Sequence, residues 1–126
     1  DQKKYKLSTQ SLSRLILQKD FLSLSVQLQL KILISEVIVR YQLKQTDLIE
    51  KKISFIKKKH KRILKVNIRD KGIISIIEKL IYCNNIYTDN KLKAEIENFR
   101  SMTSLKNAGN TDVINYNEWL NNIYKR

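Results

Sequence analysis

Apolar residues recur along this chain at helical rather than strand spacing. Leu15, Leu22, Val26, Leu30, Leu33, Val37 and Tyr41 fall on one face of a helix, and the spacing predicts a long helix over residues 12–43. Within it, residues 22–32 (LSLSVQLQLKI) alternate strictly, which is the period of a half-buried strand. Helix is the preferred reading, because Leu, Gln and Lys favour it and no hairpin turn follows. Apolar residues on most sides of this helix predict that it is largely buried or lies in a partner's groove.

Asp47 followed by Glu50 has the spacing of a capping box and predicts a second helix from there to about Val66. Its apolar face is Leu48, Ile49, Ile53, Ile56, Ile63 and Val66. A third helix is predicted over about Ser75 to Cys83, a linker over 84–90, a fourth helix from Lys91 to about Leu105, and a last one from near Tyr116.

Composition sharpens the fold class. With no proline and two glycines in 126 residues, almost nothing interrupts helices, and the residues that tight β-turns need are missing. The chain is expected to be all-α. It is long enough for one domain or two small helical lobes. Its apolar runs, such as Ile32–Ile34 and Val37–Val39, reach only three or four residues, far short of the roughly 20 that a membrane-spanning helix needs. One cysteine, Cys83, precludes an internal disulfide and suggests a reducing, cytoplasmic setting. A chain that starts at Asp1 is expected to be part of a longer protein.

Charge points to partners. Lys and Arg outnumber Asp and Glu 25 to 12, a net +13 that suits an acidic protein face, a phospholipid surface or nucleic acid. Heavy use of Ile, Lys and Asn also fits an AT-rich coding sequence, so part of this charge reads as compositional. The polar face of the second helix concentrates it: Lys51, Lys52, Lys57, Lys58, Lys59, Lys61, Arg62 and Lys65 are candidate interaction residues, although a solvated face is the usual meaning of such a run. His60 has no second His or nearby Cys and is read as a surface residue rather than a ligand. Tyr82, Tyr87, Tyr116 and Tyr124 do not interleave with the lysines as in a nucleic-acid module. The sequence contains no nucleophile, base and orienter set and no phosphate loop, so an independent enzyme is not expected.

One repeat remains. Gly72 and Gly109, the only glycines, precede segments that end alike, Ile74-Ser75-Ile76-Ile77-Glu78 and Ile114-Asn115-Tyr116-Asn117-Glu118. With Glu78 as position 12 of a loop, Gly72 takes position 6 and Ile74 position 8, the pattern of a Ca²⁺-binding helix-loop-helix. Val113 to Ile123, with Trp119 just after Glu118, looks like a loop end and exit helix. On these residues the chain resembles the regulatory segment of the calcium-dependent protein kinases of plants and apicomplexan parasites.

The resemblance implies a junction-like long helix (1–46) followed by a lobe of two degenerate EF-hands (47–126), with loops near 67–78 and 107–118. It implies pairing of Ile74 with Ile114 across the lobe and Trp119 in its core. Asn115 and Glu118 become candidate metal ligands, with Glu78 in the first loop. Arg69 and Lys71, at positions 3 and 5, would repel Ca²⁺, so ion binding is expected to be largely lost and no cofactor is expected. The implied function is a non-catalytic regulatory domain that holds a helical segment of its own chain or of a partner such as a kinase domain. The alternative is a basic helical module that binds nucleic acid or an anionic membrane through the 51–65 face.

Overall fold

A computed structural model describes residues 2–17, 25–103 and 114–124. All seven elements among the described residues are helices: α1 (Gln2–Leu17), α2 (Val26–Gln42), α3 (Thr46–Lys59), α4 (Lys61–Val66), α5 (Ile68–Tyr82), α6 (Asn90–Thr103) and α7 (Tyr116–Ile123). The chain separates into two compact units, residues 1–67 and residues 68–126. This division differs from the expected boundary after residue 46, because α2 packs against α3.

In the first unit the long helix expected over 12–43 is two helices that pack on each other. Ser25 caps α2, its side chain accepting the Leu28 N–H at 3.1 Å. Residues 13 and 36 would lie about 35 Å apart along one continuous helix. Instead the Ser13 hydroxyl donates to Glu36 Oε2 at 3.5 Å, so the chain folds back. Helix α2 is buried from Gln29 to Val39, as expected of a helix apolar on most sides. Burial takes in Glu36, 2% exposed, whose carboxylate meets Arg40 Nη2 at 3.2 Å and, from α3, Lys52 Nζ at 2.9 Å. The Lys52 contact is an ion pair without the alignment of a directed hydrogen bond. Two cations compensate the buried carboxylate and tie α2 to α3.

Helix α3 starts one residue before the predicted Asp47 cap. Gln45 takes the cap position without a side-chain bond, and Asp47 lies in the first turn, where its charge suits the helix dipole. Ile49, Ile53 and Ile56 form the buried stripe at i, i+4, i+7. Leu48 and Val66, expected on that face, are exposed.

In the second unit residues 68–82 are one continuous helix, which corrects the expected loop at 67–78. Gly72 occupies a helical position rather than the turn of an ion-binding loop, and it admits a close neighbour. A β-carbon there would lie 2.8 Å from Cδ2 and 3.1 Å from Cε2 of Phe99 on α6. The ring of Phe99, 3% exposed, thus fills the space that a side chain at 72 would need. Ile74, expected in a strand-like bridge to Ile114, is instead a buried residue of α5. Helix α7 starts at Tyr116 as expected and buries Tyr116, Trp119 and Leu120 at i, i+3, i+4. The Tyr116 hydroxyl donates to Asp70 Oδ1 at 3.1 Å, and the Arg69 guanidinium lies 4.9 Å from the Tyr116 ring centre and 5.6 Å from that of Phe99.

Candidate functional site

Glu78 is a half-buried helical residue of α5, ten positions past the first residue of that helix, so it does not close a loop. Gly109 and residues 107–113 of the second expected loop lie outside the described residues. At its described end, the side-chain oxygen of Asn115 accepts the Glu118 N–H at 3.0 Å. Asn115 therefore acts as the N-cap of α7, and Glu118 is an exposed residue of its first turn, where a carboxylate suits the helix dipole. No three His, Cys, Asp or Glu side chains among the described residues come together as a metal site.

Cys83 sits beside a carboxylate. Its Sγ lies 3.6 Å from Asp89 Oδ2, and burial together with that carboxylate pushes the thiol above its ordinary value, away from the reactive thiolate. A cleft of ≈ 320 Å³ between α6 and α7 is lined by Lys93, Arg100 and Tyr124 among others. Glu97 lines it too and pairs with Arg100 at 3.0 Å, so the positive charge there is partly neutralised.

The cationic face is different in kind. Residues 1–67 carry 16 Lys and Arg against 5 Asp and Glu, whereas 68–126 carry 9 against 7, so the net charge sits almost wholly in the first unit. Within it, residues 51–65 hold eight cations and no carboxylate. Of the predicted eight, Lys52 turns inward to Glu36. Lys51, Lys57, Lys58, Lys59, Lys61, Arg62 and Lys65 are exposed. With the isoleucine stripe facing inward, the 100° step per residue puts Leu48, Lys51, Phe55, Lys58 and Lys59 together on the outer face of α3. Leu48 is 42% exposed and Phe55 50%, and Lys59 Nζ sits 5.5 Å from the Phe55 ring centre.

This face is held at a cost. Lys58 with Arg62 and Lys61 with Lys65 are like-charge pairs one turn apart, each unfavourable by roughly 0.2–0.5 kcal/mol in an isolated helix. A polyanion that neutralised them would recover that energy on binding.

His60 lies at the joint between α3 and α4 and is buried, 3% exposed, which corrects its reading as a surface residue. The backbone ladder carries across it, with the His60 N–H donating to Ile56 O at 2.9 Å and the Leu64 N–H to His60 O at 3.0 Å. Its place follows from the stripe, since residue 60 lies four beyond Ile56 and Leu64 four beyond that. Neither ring nitrogen has a hydrogen-bond partner among the described residues. Burial, with the Lys59 ammonium adding to it, holds the imidazole below its ordinary value.

Comparisons with known proteins give no family to set beside this geometry: no protein family, no curated protein and no solved structure matches the chain.

Proposed function

We propose that the chain is a non-catalytic helical binding module that engages a phosphate-bearing, anionic partner through the exposed cationic face of α3 and α4. The observation that carries this reading is the run of seven exposed cations between residues 51 and 65 with no carboxylate among them, mounted on a helix whose opposite side is anchored by Ile49, Ile53 and Ile56. A helix held by its apolar stripe presents its charges on a backbone that is already ordered, so the electrostatic gain on binding is offset by side-chain ordering but not by lost backbone freedom. Such binding is dominated by charge and weakens steeply with salt.

The test is retention on heparin, a polyanionic probe that carries neither bases nor lipid. The protein is expected to bind in about 50 mM salt and to elute at a salt concentration that falls sharply in the variant K58E/K59E/R62E. Passage of the unmodified protein straight through the column at low salt would refute the reading.

A further inference from the structure

Charge alone would suit any polyanion, but the outer face of α3 is not only charged. Leu48 and Phe55 stand two turns apart on it, about half exposed, with Lys51 between them and Lys58 and Lys59 following. A hydrated phosphodiester offers nothing to an exposed leucine. Seven of the eight cations in 51–65 are lysines, compact point charges, and one is an arginine, the residue whose planar fork reads base edges. Lysine stems have a further use at an interface between water and hydrocarbon, where the aliphatic chain lies along apolar surface while the ammonium reaches the headgroups. On this face charge and apolar surface already adjoin, with Lys59 Nζ 5.5 Å from the Phe55 ring centre.

We infer that the partner of this face is the anionic surface of a phospholipid bilayer, with Phe55 and Leu48 entering the boundary between headgroups and acyl chains and Lys51, Lys58 and Lys59 contacting lipid phosphates and carboxylates. The inference rests on the reading of the α3–α4 face proposed above and names its partner. Attachment is peripheral, since no helix among the described residues is long and apolar enough to cross a membrane. Two weak contributions act together here, apolar insertion and attraction to anionic lipid, and each makes the other effective. The acidic headgroups also relieve the like-charge pairs along α3 and α4.

The experiment is co-sedimentation of the full chain with vesicles of phosphatidylcholine containing about a third phosphatidylserine, with pure phosphatidylcholine vesicles and a single-stranded RNA oligonucleotide as competing probes. Binding to the anionic vesicles is expected, with little to the neutral ones. The variants F55S and L48S alter exposed side chains and leave the buried stripe intact; F55S is expected to weaken vesicle binding roughly tenfold while its heparin retention stays unchanged. The variant K58E/K59E/R62E is expected to lose more than 100-fold at about 1.4 kcal/mol per tenfold step. Vesicle binding indifferent to F55S and L48S, equal binding to neutral vesicles, or tighter binding to the RNA would each overturn the bilayer as partner. Heparin retention without vesicle binding would sink this inference alone, whereas absence of both would sink the reading on which it rests.

Discussion

Replacing Gly72 by alanine separates a helical glycine under a packed ring from a turn glycine in an ion-binding loop. At an open helical site the change would stabilise by about 0.8–1.0 kcal/mol, the difference in helix propensity between the two residues. Here the new β-carbon would meet Phe99 Cδ2 at 2.8 Å, a distance that requires something to shift. Phe99 is 3% exposed and its ring lies beside the Arg69 guanidinium, so it has little room to give. Overpacking of this kind costs about 1–3 kcal/mol. The two effects leave a net destabilisation of up to about 2 kcal/mol, a drop in Tm of several degrees for a domain of this size. The assay is urea unfolding of four proteins, namely wild type, G72A, F99L and the double variant, arranged as a double-mutant cycle. With the ring removed, G72A is expected to become stabilising, as its helical position dictates. Stabilisation by G72A in the wild-type background would refute the close α5–α6 packing. Destabilisation of the same size in both backgrounds would refute the helical assignment of Gly72, because only a left-handed backbone penalises alanine regardless of Phe99.

The buried His60 sets a pH dependence whose sign follows from its lowered folded-state value. Neutral imidazole is favoured in the fold, so as pH falls through about 6.5 the unfolded chain takes up a proton that the folded one resists, and stability is lost. Thermal melts between pH 8 and 5 are expected to show a fall in Tm that H60L abolishes, and parallel curves for the two proteins would contradict it. Removing the cap of α7 with N115A leaves the Glu118 N–H without its 3.0 Å acceptor and is expected to cost about 1 kcal/mol in urea unfolding. The same variant tests the loop reading of Asn115, since a ligand role would leave the stability of the metal-free protein unchanged.

Much of the helical outline was legible in the sequence. The all-α class followed from the missing turn residues, the stripe of Ile49, Ile53 and Ile56 from its spacing, and the start of α7 from the tyrosine that follows Asn115. Three features were not legible in the sequence. The turn-back between α1 and α2 lies within continuous helical periodicity, and its visible mark, the Ser25 cap, is one serine among several. Gly72 reads locally as a turn, and only Phe99, 27 positions on, explains a glycine inside a helix. His60 reads as a member of a cationic run, yet it continues the isoleucine stripe, a signal that the lysines around it obscured. The candidate face itself was visible as a cluster of cations. Its apolar part was not, since spacing groups Leu48 with the buried isoleucines whereas it stands exposed on the outer face with Phe55.

In the function proposed above a particular face, and not net charge, does the binding. The direct measurement compares heparin affinity at matched net charge for K58E/K59E/R62E, on the α3–α4 face, and K71E/K91E/K93E, three exposed lysines of the second unit. A loss of about 100-fold or more is expected for the first and less than about tenfold for the second, because the phosphate contacts proposed above are made by the α3–α4 cations. Equal losses would mean that the chain binds by its overall charge and that α3–α4 is not a site.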